Sequence, residues 1–246
     1  MPKPFPIINW LIGSSLLVYA VLGCMNSEPN PDAEQLIRVG SRVLTVLEFN
    51  QDFEISKTAY SSNLRDEPDD YRNAQLRLLN ELTIELIILE RATELGLSVS
   101  DEELEKAVAD IKEDYPEDSF EKTLLEYAVS YETWRDRLRK RLLMEKVIKQ
   151  ELEDQIVITS EDIAKYYEEN FRAKAPDADS ELNTEDINKM IIEQLRRAKL
   201  EHAYQIWINK LKQKYPIEIN TVQWERISGL HLDEKEILNN MKSTQE

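Results

Sequence analysis

Cys24, His202 and His231 are the only thiol and imidazole groups in this 246-residue chain. With no second cysteine, Cys24 has no intrachain disulfide partner, and a free thiol outside the cytoplasm is a liability. One histidine falls within a helical pattern and the other in the C-terminal tail, without the spacing of a metal-binding pair. No glycine-rich phosphate loop follows a strand. The 48 acidic residues are ordinarily just solvated when they lie on exposed helices, so no catalytic residue, metal site or cofactor is expected. Binding chemistry is better represented. Tyr127, Tyr131 and Trp134 cluster around one helix start, and Tyr166, Tyr167 and Phe171 lie at the edge of a loop. These are either core side chains or an exposed apolar surface. A basic run, Arg135, Arg137, Arg139, Lys140, Arg141, Lys146 and Lys149, stands out in so acidic a sequence. It reads either as a face paired with neighbouring acidic helices or, through Arg135, Arg139, Arg141 and Lys146, as a docking surface for an acidic partner.

The N-terminus gives Cys24 a context. Lys3 is the only early charge, and an apolar stretch of about 15 residues ending in a small residue has the form of a secretory signal over 1–23. It is short for a membrane span, which needs roughly 20 apolar residues. Val21-Leu22-Gly23-Cys24 resembles the lipobox of bacterial lipoproteins, although Leu22 is bulkier than the small residue usual there. That resemblance implies cleavage before Cys24 and a lipid on its sulfur; an uncleaved anchor with an incidental cysteine is the alternative. Residues 24–34, polar and proline-punctuated, then form a lipidated tether. The formal net charge is −17, and −18 without residues 1–23, which contain Lys3 and no acid. Nucleic-acid binding needs a basic face and is therefore not expected. Five glycines in the whole chain disfavour sandwiches and barrels and favour helices.

The body is expected over 35–227. Leu36-Ile37-Arg38-Val39 and Arg42-Val43-Leu44 read as two strands around Gly40-Ser41. Thr45 with Glu48 is a capping box, opening a helix whose main apolar residues are Leu47, Phe49, Phe53 and Tyr60. Pro68 starts a long helix in which Leu76, Leu79, Leu82, Leu86 and Leu89, widened by Ile84, Ile87 and Ile88, make it apolar over much of its circumference. Gly96 closes it. Ser100/Glu103 and Asp118/Glu121 are further capping boxes, and Ser130 caps a long helix through Leu152. Thr159 or Ser160 starts another, residues 171–184 read as a loop, and Thr184 to Leu211 is amphipathic. Ile217-Glu218-Ile219 alternates as a final strand, which Val222, Trp224 and Ile227 extend. The tail 228–246 reads as loosely ordered apart from a turn of helix around 234–238.

This order of elements resembles the periplasmic chaperone family typified by SurA and its relatives among parvulin-type foldases. The resemblance rests on the hairpin 37–45, on the long apolar helix of 79–104 passing through Leu95-Gly96-Leu97 into Ser100-Asp101-Glu102-Glu103, on Trp134-Arg135-Asp136-Arg137-Leu138-Arg139, and on 191–219. Gly40-Ser41 replaces the usual Asn-Gly turn. It implies a mainly α, SurA N-terminal-like domain, with a small β element from the hairpin and the C-terminal strand, completed by a long C-terminal helix. Foldases of the family carry a parvulin isomerase domain of roughly 90–100 residues after the helix near 160–170, where this chain has only the loop 171–184.

The expected function is that of a lipid-anchored holdase-type chaperone for unfolded or exported outer-membrane polypeptides, without its own isomerase domain. An envelope adaptor docking one partner is the alternative, and a peptidyl-prolyl isomerase is the third. The protein is expected in the cell envelope facing the periplasm, with the outer membrane favoured because Met25, not aspartate, follows Cys24. Oligomeric state is not legible.

Overall fold

The computed structural model describes residues 34–57, 60, 67–116, 119–170 and 184–243. The signal sequence, Cys24, all of the tether but residue 34, Asp118 of the third capping box, Phe171 and nearly all of the loop 171–184 lie outside the described residues.

The described chain is mainly helical around one small antiparallel sheet of three strands, the first in sequence lying between the other two. β1 (Gln35–Val39) and β2 (Arg42–Thr45) form the hairpin, with Val39 opposite Arg42. A two-residue turn between twisted strands needs a positive φ, and Gly40 supplies it at +56°. A side chain at Gly40 would also meet Glu90, whose carboxylate accepts hydrogen bonds from the Ser41 backbone N–H (3.2 Å) and hydroxyl (2.8 Å). The turn is thus stapled to α2 (Pro68–Glu94).

Thr45 and Glu48 cap each other's backbone at the start of α1 (Val46–Ser56). Phe49 and Phe53 point into the core, whereas Leu47, apolar as it is, is exposed. Phe49 and Phe53 are four apart and share a face, while Leu47 is two away from Phe49 and falls off that face.

Helix α2 is central. Thirteen of its 27 residues are buried, too many for one stripe, so it needs cover on several sides. α1, both strands of the hairpin, α5 (Tyr131–Glu151), α7 (Thr184–Lys214) and α9 (Glu234–Ser243) supply it. Its buried polar groups are partly satisfied, one within the helix and one across the fold: the Thr83 hydroxyl donates to the Leu79 carbonyl (2.7 Å), and the Gln75 amide donates to the Ile227 carbonyl (3.2 Å). At its end, Gly96 takes φ +66° and the Leu97 N–H returns to the Ala92 carbonyl (2.9 Å), closing the helix as the sequence suggests.

From there α3 (Asp101–Glu113), α4 (Ser119–Glu126) and α5 form an arm. A short 3-10 turn at Glu153–Gln155 leads to α6 (Ser160–Asn170), which packs on α7. Thr159, rather than Ser160, caps α6: its hydroxyl accepts from the Asp162 N–H (3.1 Å) and Asp162 accepts from the Thr159 N–H (2.8 Å). α7 then brings the chain back to β3 (Ile217–Ile219), which pairs antiparallel with β1. The Glu151 carboxylate accepts from the Arg91 guanidinium (2.9 Å at Nε) and the Trp207 indole N–H (2.8 Å), tying α2, α5 and α7 together.

The C-terminal residues differ most from expectation. Residues 221–228 do not extend the final strand but form helix α8 (Thr221–Ser228), capped by the Asn220 side chain and closed by Gly229 at φ +71°. The helix expected around 234–238 is longer than one turn: α9 runs for ten residues and carries Ile237 and Met241 into the main core. Asp233 and Glu236 cap it reciprocally (2.9 and 2.8 Å), the same kind of box that marks the earlier helices.

Candidate functional site

The arm positions three of the six aromatic residues singled out above, Tyr127, Tyr131 and Trp134. Ser100 and Glu103 form their capping box at the start of α3, and the Ser130 hydroxyl accepts from the Thr133 N–H (3.1 Å) at the start of α5. The two helices pack through a small buried cluster, Val99, Leu104, Val108 and Leu138, separate from the main core. Beyond it, α4 places Phe120 in the gap between the end of α3 and the start of α5.

Phe120 is buried and meets three rings edge-on: Trp134 at 4.8 Å, Tyr115 at 5.4 Å and Tyr131 at 6.5 Å between centroids. Tyr131 and Trp134 stack on each other at 5.8 Å. The Lys112 ammonium lies 4.8 Å from the Phe120 ring centre and 5.1 Å from that of Tyr131, and pairs with Glu121 at 3.0 Å. That pairing raises the pKa of Lys112 and lowers that of Glu121. Around this assembly the apolar surface is open. Leu125 is 79% exposed, Tyr127 54% and Tyr131 42%. Ala128 follows Tyr127 with φ +53°, and the Val129 N–H reaches back to the Leu124 carbonyl (2.9 Å), so α4 ends in a left-handed reversal made by an alanine.

Tyr127, Tyr131 and Trp134 therefore share one end of the arm, Trp134 half-buried and the two tyrosines open. Tyr166 and Tyr167 belong elsewhere, on α6, one half-buried and the other exposed. Tyr115, Phe120, Leu125 and Lys112 complete the surface without having been singled out. Their joining depends on α4 folding back between two helices, which no short-range pattern marks.

Six of the seven cations of the basic run on α5 are paired within the chain. Arg135 donates to Glu105 (2.6 Å), Arg139 to Asp101 (2.8 Å), Arg141 to Glu145 (2.8 Å), and Lys146 to the Ser98 carbonyl (2.8 Å) and Glu103. An acidic partner docking there would have to displace these contacts. On the side of α5 facing α1 and α2, Arg137 pairs with Asp52, and Lys140 lies 3.9 Å from Glu85. They line a cleft of about 310 Å³ over Leu82 and Leu86. Burial pushes both carboxyl groups above their usual range despite the cations beside them.

Among the described residues, no group of three or more His, Cys, Asp or Glu side chains is placed to hold a metal ion, and no helix is long and apolar enough to cross a membrane.

Comparison with known proteins gives this surface a family context. The foldase protein PrsA of Clostridium botulinum strain 657 (Type Ba4) is 36% identical over 100 residues, 38% of this chain and 30% of that protein. PrsA of strain Hall is 35% identical and that of strain Loch Maree 34%, with the same coverage. The chain thus matches less than a third of the length of these relatives. A family profile described as the SurA-like N-terminal domain matches residues 5–148. That span includes the hairpin, α1 to α4 and nearly all of α5, and so the whole aromatic end of the arm. Covering more than half of the sequence, it shows that the chain belongs to the SurA-like N-terminal domain family.

Proposed function

We propose that this protein is a holdase-type chaperone that holds unfolded or exported polypeptides on the aromatic end of its arm. The observation that carries the reading is the open apolar surface of Leu125, Tyr127 and Tyr131. Exposed apolar patches, unlike single scattered residues, mark sites of interaction. Family membership and the similarity to proteins named foldases point the same way. The proposal needs no catalytic group, and the isomerase reading has no residue among those described to carry it. The adaptor reading is weakened by the internal pairing of the α5 cations.

The proposal extends to position in the cell. A lipid on Cys24 would hold the body on the outward side of a membrane in the cell envelope. A ten-residue tether would keep it within about 17 Å on average, at roughly 5–6 Å times the square root of length. Clients would then be met as they emerge at that surface.

The purified full chain, mixed at equimolar ratio with an unfolded outer-membrane protein, should suppress light scattering from aggregation. Replacing Leu125, Tyr127 and Tyr131 together by serine should remove most of that suppression while leaving the melting temperature of the body unchanged. A wild-type chain that fails to suppress aggregation, or a triple variant as effective as wild type, overturns the reading. Cys24→Ser should move the protein from the membrane to the soluble fraction of cells; retention on the membrane refutes the lipid anchor.

A further inference from the structure

We propose that the aromatic end of the arm selects apolar segments flanked by lysine or arginine. The inference rests on the chaperone reading and names the client chemistry for the same surface. Lys112 shows within the molecule how a cation is accepted there: its ammonium lies over the faces of Phe120 and Tyr131 while Glu121 holds it from the side. A ring face and a carboxylate together make a site for a cation, through the quadrupole of the ring and the charge of the acid.

Tyrosine and acid stand side by side in the sequence at three places around Lys112. Asp114 precedes Tyr115, Glu126 precedes Tyr127 and Glu132 follows Tyr131, and all six side chains are exposed. Neighbouring residues lie 3.8 Å apart at Cα, so each acid adds its negative charge to the neighbourhood of a tyrosine, without facing it. Among the described residues, none of these three acids is in an ion pair, and neither Tyr115 nor Tyr127 has a cation over its ring. Residues 110–132 carry eight acidic and two basic side chains. One of the two bases, Lys112, is the ammonium already engaged. Further along α5 the charges are balanced by pairs such as Arg135–Glu105 and Arg139–Asp101. The unbalanced charge thus coincides with the open aromatic surface. An occupant with an apolar centre and cationic flanks satisfies both, whereas acidic flanks would be repelled.

Three peptides sharing one leucine- and phenylalanine-rich centre, flanked by lysine, serine or glutamate, test this by fluorescence anisotropy on the full chain. Lysine flanks should bind at least about tenfold more tightly than glutamate flanks at low salt. The difference should shrink severalfold at about 0.5 M salt, where the screening length falls below about 5 Å. The triple variant Asp114→Asn, Glu126→Gln, Glu132→Gln should erase the preference and still bind the serine-flanked peptide. A control variant carrying Asp154→Asn, Glu193→Gln and Glu201→Gln, with the same net charge, should keep it. Equal affinity for all three peptides overturns the selectivity and leaves the chaperone reading intact. A preference that survives the first triple variant assigns it to overall charge and overturns the proposal. No binding of any peptide overturns the chaperone reading beneath it.

Discussion

Two tryptophans show how differently the body and the arm are built. Trp224 on α8 is fully buried, edge-on to Phe49 at 6.0 Å, within a core reaching from the sheet through α1, α2, α7 and α9. Trp134 on α5 is half-buried and packs on Phe120 and Tyr131 beside a cluster of only four buried residues. The body draws its stability from apolar area removed from water. The arm leaves part of that area in water, where it remains available to bind another chain. Regions with few buried contacts open at lower free energy than the core they extend from. A surface that must accommodate many sequences belongs in such a region.

This contrast can be broken first in the body. Trp224→Ala removes a fully buried ring and leaves a cavity against Phe49, so it should cost about 3–5 kcal/mol. Urea unfolding followed by circular dichroism should show the midpoint of the whole chain falling. A loss below about 1 kcal/mol would mean that α8 adds little to the core. Phe120→Ala is the corresponding change in the arm. It removes the ring on which Tyr115, Tyr131, Trp134 and Lys112 converge, at a cost of about 3 kcal/mol that should fall on α3, α4 and the start of α5. Hydrogen exchange should show faster exchange there with protection in α2 unchanged. Equal loss of protection in α2 would show that arm and body unfold as one unit.

The same contrast explains what could be read from the sequence. Elements of the body announce themselves locally: Thr45 with Glu48, Pro68, Gly96, and the leucines of α2 each fix an end or a face by a short-range rule. α8 and α9 obey those rules too, through Asn220, Gly229 and the Asp233/Glu236 pair. α8 reads as strand in the sequence because Val222 and Trp224, just after β3, alternate as a strand would, and eight residues are too few to separate the two periods; for α9 the sequence marks only a turn of helix around 234–238. The candidate surface was half legible. Tyr127, Tyr131 and Trp134 are close in the chain, but the arrival of Tyr115 and Phe120 beside them is a tertiary event with no local mark. The pairing of the α5 cations likewise depends on α3 lying alongside, which puts Asp101, Glu103 and Glu105 within reach.

Turn chemistry offers the finest test of the contrast. Gly40, Gly96 and Gly229 are the described glycines that take positive φ, and they close the hairpin, α2 and α8 without steric penalty. The arm uses Ala128 for the same reversal, at φ +53°. A Cβ in the left-handed region costs roughly 1 kcal/mol, and here the cost falls on the turn between Tyr127 and Ser130. Ala128→Gly should therefore stabilise the arm by a few tenths of a kcal/mol up to about 1 kcal/mol, the gain being reduced by the greater freedom of glycine in the unfolded chain. Slower hydrogen exchange at 124–131 with an unchanged rate in α2 would locate the gain. If peptide affinity also rises, the turn had been holding Tyr127 and Tyr131 away from their binding arrangement. If affinity falls while the turn is stabilised, looseness at Ala128 is part of how the surface adapts to its clients. No change in exchange at 124–131 would show that the alanine carries no strain, and that the arm differs from the body in packing alone.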